Sequence, residues 1–267
     1  MRRKIKSLCA LGLLATSSVA LADPSPALDR VSVWLGGSYL NTDVQLEASN
    51  RSGDLSTGKL DLGGGHETAA RARLDLLLFD TQGFTFDYYT LSHSETRTLN
   101  EQFDFQGVPF DVNARLRGKF DFDIGSASYH WWFGSGNDVF GLGLGAAYYR
   151  AKLGLKGDVF ADGQSASARA SWDEDAVAPM VTLAYKHAFS DSFRFYVDAS
   201  GVKKSGGKLS GHIYDGRVGV EWFPWHNVGL GAEYSKTEIS LDHKRSAYKA
   251  NLDIDLDGPS LFARMRF

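Results

Sequence analysis

The chain has 267 residues, with 29 Lys and Arg against 32 Asp and Glu, a formal charge of −3 and a mean hydropathy of −0.24. The acidic balance excludes a nucleic-acid binder that works by neutralising phosphate, and without a continuous apolar span of about twenty residues the chain is not an α-helical membrane protein. Aromatic residues at 13% and 29 Gly against 6 Pro are what many strands and tight turns require.

The N-terminus sets the compartment. Arg2, Arg3, Lys4 and Lys6 form a basic head, residues 8–19 are a short apolar run, and Ala20-Leu21-Ala22 is a small-x-small cleavage site. Residues 1–22 therefore read as a Sec-type signal peptide, too short to stay in a bilayer as a helix. Cys9, the single cysteine, leaves with it, which excludes disulfides, cysteine-ligated metal and cysteine catalysis in the mature chain. Removing the four basic residues lowers the formal charge from −3 to −7. Residues 23–29, with Pro24-Ser25-Pro26, read as an extended periplasmic lead.

From residue 30 onward the pattern is a two-residue alternation. Val31, Val33, Leu35 and Tyr39 share one face, opposed by Ser32, Trp34 and Ser38. Leu74, Leu76 and Leu78 alternate with Arg71, Arg73 and Asp75, and after a turn at 80–83 Phe84, Phe86 and Tyr88 oppose Thr85, Asp87 and Tyr89. Further on, Leu116, Phe120, Phe122 and Ile124 alternate with Arg115, Arg117, Lys119, Asp121 and Asp123; Phe140, Leu142, Leu144 and Tyr148 oppose a row of glycines. Phe193, Phe195 and Val197 oppose Arg194 and Asp198, and Val218, Val220 and Trp222 oppose Asp215, Arg217 and Glu221. In the last stretch Leu252, Ile254 and Leu256 alternate with Asp253 and Asp255, and the apolar parity then switches across Gly258-Pro259, which predicts a β-bulge. The chain closes on Leu261, Ala263, Met265 and Phe267, with Arg264 and Arg266 on the other face.

A final amphipathic strand that ends in Phe, at the far end of a chain with an export signal, resembles the closing strand of Gram-negative outer-membrane β-barrels. The resemblance implies that Leu261, Met265 and Phe267 are the signal read by the outer-membrane assembly machinery. The expected fold is all-β: a transmembrane antiparallel up-and-down β-barrel over residues 30–267, of about ten strands, with eight or twelve as the alternative counts. Short turns near 80, 135, 191 and 225 alternate with longer connections near 50–64, 96–112, 158–173, 203–209 and 242–247, the turn-and-loop asymmetry of such barrels. An even strand count places both termini in the periplasm and the chain in the cell outer membrane.

The faces opposite the apolar ones then point into a narrow lumen. They predict an inward charge network of Arg71, Arg73, Asp75, Asp87, Arg115, Arg117, Lys119, Asp121, Asp123, Arg194, Asp198, Arg217, Glu221, Asp253 and Asp255. In that reading Arg117→Ala lowers thermal stability by stranding inward carboxylates. Catalysis has less to stand on. Ser92-His93-Ser94-Glu95, Asp242-His243, and His212 with Asp215 lie at outer strand ends, where an omptin-like protease or a lipid A modifying enzyme would carry its site, but their surroundings match neither motif. No catalytic residue, cofactor or metal ligand set is assigned. His66, His130, His187 and His226 have no ligand spacing, and Asp253, Asp255 and Asp257 are the polar face of a strand. The expected function is non-enzymatic, structural or surface-interacting, with a narrow pore for ions or small solutes as the alternative and an outer-rim enzyme third. The partners this reading implies are outer-membrane lipid and lipopolysaccharide together with the assembly machinery, for a monomer that binds no nucleic acid.

Overall fold

The structure, a computed structural model, describes residues 25–50, 56–98, 103–105, 108–110, 115–161, 164–206, 209–244 and 248–267; residues 1–22, expected to be a signal peptide, lie outside them. Twelve strands follow in order: β1 Val31–Asn50, β2 Ser56–Leu78, β3 Gln82–Thr98, β4 Phe103–Phe105, β5 Val108–Phe110, β6 Arg115–Ser135, β7 Asp138–Ala161, β8 Gln164–Ser190, β9 Phe193–Lys204, β10 Leu209–Trp222, β11 Val228–Lys244 and β12 Tyr248–Arg266. Ten of them close an antiparallel up-and-down barrel, β1 pairing with both β2 and β12, while β4 and β5 form a separate small hairpin. Closure leaves no open edge, which a sheet in hydrocarbon requires.

The strands run longer than the alternation predicts. β7 and β8 pair from Asp138 opposite His187 up to Ala161 opposite Gln164, so most of the expected loop at 158–173 is strand. The same holds for residues 56–64, which pair in part with β1, and for Lys244, which lies opposite Lys249. Ser165, Ala166, Ser167 and Ala168 carry no large apolar face of their own; their partners on β7 impose the extended form.

Register shifts interrupt the β1–β2 pairing at Asp43/Gln45 and Glu47/Ser49 and the β8–β9 pairing at Ala188/Ser190; elsewhere the paired strands keep their inward parity but change what that parity carries. Toward the short turns the outward face is apolar, as with Leu35, Leu144, Leu183, Val218, Leu230 and Leu261, the last 73% exposed. Outward Tyr39, Tyr88, Tyr148, Tyr214 and Tyr234 end this face, and Phe79, Phe133, Phe189, Trp225 and Phe267 mark its other end. From Val31 to Tyr39 is nine positions, about the count a tilted strand needs to cross a bilayer's hydrocarbon.

Beyond the tyrosines the polarity reverses. Arg115, Arg117, Lys119, Asp121, Asp123, Asp253 and Asp255 point outward, while Leu116, Phe120, Phe122, Leu252, Ile254 and Leu256 fill the lumen. The expected inward position of these seven charged residues is therefore wrong: their strand segments stand outside the lipid band, where water rewards charge on the outer face and burial rewards apolar groups inside. The predicted bulge at Gly258-Pro259 is absent for the same reason. Ser38 opposite Ser260 and Asn41 opposite Asp257 keep one register across it, and the apolar residues change from core-facing to lipid-facing without a change of parity.

Candidate functional site

Below the tyrosine ring the lumen is a neutral lattice of ions. Seven cations (Arg71, Arg73, Lys186, Arg194, Arg217, Arg264, Arg266) meet seven carboxylates (Asp29, Asp75, Asp87, Asp198, Asp215, Glu221, Glu233) among the described residues. The upper layer is Arg71, which donates to Asp87 at 2.5 Å and to Glu233 at 3.1 Å, and Arg217, 2.6 Å from Asp215 and 3.3 Å from Asp87. Tyr196 adds a hydrogen bond to Glu233 at 2.7 Å. The middle layer is Arg73, 2.7 Å from Asp198 and 2.9 Å from Asp75, with the Thr85 hydroxyl donating to Asp75 at 2.7 Å. Arg264 ties this to the bottom through Glu221 at 2.5 Å and the Ser32 hydroxyl at 2.8 Å. Buried charge is tolerated only when paired and hydrogen-bonded, and each carboxylate here has a cation or hydroxyl partner.

Of the residues predicted for the lumen, Arg71, Arg73, Asp75, Asp87, Arg194, Asp198, Arg217 and Glu221 are brought together there, and Arg115, Arg117, Lys119, Asp121, Asp123, Asp253 and Asp255 are not. The prediction omitted Asp29, Lys186, Asp215, Glu233, Arg264 and Arg266. Strand parity alone signals Asp215, Glu233, Arg264 and Arg266, each adjacent to an outward apolar residue. Lys186 alternates with Tyr185 and His187 on the outer face and stacks its ammonium over Trp132 at 4.9 Å. Asp29 precedes the first strand and carries no periodic signal.

The segment ahead of β1 closes the barrel mouth on the short-turn side. It is a turn, with the Leu28 amide donating to the Ser25 carbonyl at 2.8 Å, and not the extended lead expected. Ala27 is buried against Leu77, Trp132, Val139, Ala184 and Ala188. Asp29 accepts from Arg194 at 2.8 Å and lies 3.5 Å from Arg264 and 3.9 Å from Arg266. Burial alone would raise the Asp29 pKa; Arg264 and Arg194 outweigh it and hold the carboxyl below the ordinary carboxylate value. Arg266 reaches the turn carbonyls of His226 at 2.6 Å and Asp191 at 3.0 Å, fastening the mouth on a third side.

Among the described residues, a cavity of about 70 Å³ lies between the upper ion layer and the apolar side chains of Phe122, Ile124 and Ile239, and cavities of about 50 and 20 Å³ lie within the ion lattice; Asp87, Ser126, Met180 and Arg217 border the first two, and His130 and Thr85 the second and third. Each holds at most a few waters. Above them the core from Phe122 and Tyr149 to Leu155, Leu241 and Ile254 leaves these side chains 2% exposed or less.

The candidate catalytic groups do not converge. His212 points outward and stacks on Tyr214 with centroids 4.9 Å apart, whereas Asp215 points inward to Arg217 and Thr237. Ser92 donates to Asp121 at 2.6 Å on the outer wall; the side chains of His93 and His243 lie outside the described ones. His130 is buried, sharing a 2.7 Å hydrogen bond with Thr182, and His66 stacks on Tyr39. His187 pairs with Asp138 at 2.7 Å beside a short turn.

Outside, above the tyrosine ring, the charged wall carries its own pairs. Lys119 is 2.9 Å from Asp121 and Lys236 2.7 Å from Glu238. Arg150 grips Asp173 through two hydrogen bonds of 2.6 and 2.9 Å, which hold the Asp173 carboxyl below its ordinary pKa.

No family model matches this chain, and no curated protein matches it in sequence. Among solved structures it is similar to the outer membrane protease OmpT from Escherichia coli, at 10% identity over 89% of this chain and 96% of that one, with a TM-score of 0.59. It also aligns with the outer membrane protein OprG from Pseudomonas aeruginosa, at 11% identity over 91% of this chain and 99% of that one, with a TM-score of 0.42. The fold is that of the Gram-negative outer-membrane β-barrels.

Proposed function

We propose that this protein is a non-conducting, non-enzymatic barrel of the outer membrane, which holds a charged outer wall and its connecting segments above the lipid for structural or surface contact. The single observation that carries this reading is the apolar filling of the outer half of the lumen by Leu40, Val44, Leu91, Phe120, Phe122 and Leu155, each 3% exposed or less. An ion would have to leave water and cross that core, and desolvating a charge there without a partner costs many kcal/mol. The ion lattice below and the Ala27–Asp29 turn add two further barriers in series.

The lipid-facing band between the two aromatic rings and the export signal support the outer membrane as its location. Leu261, Met265 and Phe267, outward at the closing strand's end, remain the proposed contact for the assembly machinery. Against a rim protease stands the separation of His212 from Asp215 on opposite faces of β10, since acid-base partners need hydrogen-bond reach. The test is conductance of the refolded mature chain in a planar bilayer at neutral pH. A folded, inserted protein is expected to give no unitary steps; reproducible steps would return the pore reading.

A further inference from the structure

Closure of the barrel holds through the lipid band, and at the level of the tyrosines two of its ladders stop. β8 and β9 pair from Ser190 opposite Phe193 up to Met180 opposite Val202 and no further. The next residue on β8 is Pro179, which has no N–H to donate. β9 then ends at Lys204, whereas β8 runs on, paired with β7, to Gln164 opposite Ala161. Gln164 to Pro179 therefore form a free edge about 50 Å long, to which no strand among the described residues bonds. Val177 lies opposite Tyr148, so all but the foot of this edge stands above the tyrosines. The β4–β5 hairpin lies near β8 but forms its own two-stranded sheet. The second seam, between β2 and β3 beyond Ala70 opposite Thr90, has a long strand on each flank.

A long free edge is a template for one more strand. Proteins blunt such edges with proline, bulges or repelling charge; on β8 the single proline stands at the foot, and its pairing with β7 has no register shift from Asp138 to Ala161. The outward row of the edge is Arg169, Ser171, Asp173, Asp175 and Val177, all exposed. Its charges are of both signs, so they select a partner strand instead of repelling every one. Arg150 already holds Asp173, while Arg169 and Asp175 have no ion pair among the described residues.

We infer that this edge docks an extended segment of another exported polypeptide, added antiparallel to β8, with a basic residue opposite Asp175 and an acidic residue opposite Arg169. The inference rests on the membrane reading above and deepens it by naming the surface contact. The segment takes the place that a longer β9 would fill, so the antiparallel ladder continues and supplies backbone hydrogen bonds. The two cross-strand charge pairs supply the choice of partner. A second copy of this chain is the poorer occupant: two barrels in one membrane point their β8 strands the same way, and an antiparallel pair of these edges would need them head to head.

The probe is a synthetic peptide of alternating Thr and Val, long enough to span Ser165 to Val177, with Lys placed to meet Asp175 and Glu to meet Arg169. A second peptide exchanges the Lys and the Glu, and a third carries N-methyl groups on the backbone nitrogens that would face β8. Binding to the refolded protein, produced from residue 23 onward and inserted in phosphatidylcholine vesicles, is followed by fluorescence anisotropy. The first peptide is expected to bind about tenfold more tightly than the second, the N-methylated one to lose binding, and Arg169→Glu to erase the preference. With a cysteine at the peptide's centre, a disulfide should form with Ser171→Cys and not with Thr68→Cys on β2. Equal affinity for the first two peptides, undiminished binding of the N-methylated one, cross-linking at Thr68→Cys alone, or no binding of any peptide overturns the inference. Dimerisation without peptide that Ser171→Pro abolishes overturns it in favour of a second copy. Insertion is scored separately by protection from protease: failure to insert overturns the membrane reading itself, whereas insertion without peptide pairing overturns only the edge.

Discussion

The lower and upper halves of this barrel are made from the same ten strands, whose pairing runs through the tyrosine level with register shifts between β1 and β2 above it, yet they solve opposite solvation problems. Below the tyrosines hydrocarbon lies outside and ions inside, with Leu144 outward and Arg71 inward. Above them water lies outside and a packed core inside, with Lys152 outward and Phe122 inward. The side chain's period of two is common to both halves, so the backbone needs no kink or bulge at the boundary. What changes is the medium, and the sequence answers by exchanging the residue types of its two faces. Each half then has its own glue: paired charges in the lower, apolar contact in the upper.

The largest effect is expected where the lower half's glue is cut. Arg71→Ala strands Asp87 and Glu233, and loss of one partner of a buried ion pair costs about 3–5 kcal/mol. Urea unfolding in lipid vesicles should show it as a lower midpoint with unchanged slope; a midpoint equal to that of the unaltered protein would mean the lattice contributes nothing. Phe122→Ala makes the corresponding cut in the upper half, at a side chain 1% exposed, with a loss of about 3–5 kcal/mol at most, since the neighbouring side chains can partly collapse into the space. Protease sensitivity should rise first in the strand ends beyond the tyrosines, and a uniform loss along the strands would argue that the halves are one cooperative unit.

A smaller effect separates the plug from both halves. Asp29 has a folded pKa held below its ordinary value, so its contribution is present above that ordinary value and lost as pH falls through the lower, folded one. With a single cysteine replacing Ala27, Asp29→Asn should speed labelling by a dithiopyridine at neutral pH. Below the folded pKa the two proteins should label alike, and a pH-independent difference would exclude the Asp29 charge as the fastener. The smallest effect is Arg117→Ala. The sequence alone assigns this residue to the lumen and predicts destabilisation; on the outer wall it is an exposed side chain, and the unfolding midpoint should not fall.

The error at Arg117 has a physical origin. Strand existence, the ten-strand closure and the lower face of every long strand are legible because Leu142, Leu144 and Tyr148 opposite Gly141, Gly143 and Gly145 admit one orientation in a narrow barrel. Periodicity reports that two faces differ, however, and not which one is inside. Leu252, Ile254 and Leu256 look the same to a period-two reading whether they meet lipid or core. The tyrosines at 39, 148 and 234 are the available marker, since they sit where the apolar face trades sides. The extra strand length at 158–173 was illegible because Ala and Ser on β8 gain their form from β7. Asp29 was illegible because its partners, Arg194 and Arg264, arrive only when the barrel closes.

The boundary itself can be measured. Cys9 is the chain's single cysteine, so in a protein produced from residue 23 onward single cysteines at Leu142, Leu144, Ala146, Tyr148, Arg150, Lys152 and Lys156 of β7 can each carry a nitroxide after insertion into vesicles. Their accessibility to molecular oxygen and to a water-soluble nickel chelate reports lipid against water. Oxygen access should dominate from 142 to 146, cross over at Tyr148, and give way to the nickel chelate at 150, 152 and 156. Oxygen dominance that continued through Lys152 and Lys156 would put those charges in lipid and contradict the inversion of polarity on which the two halves rest.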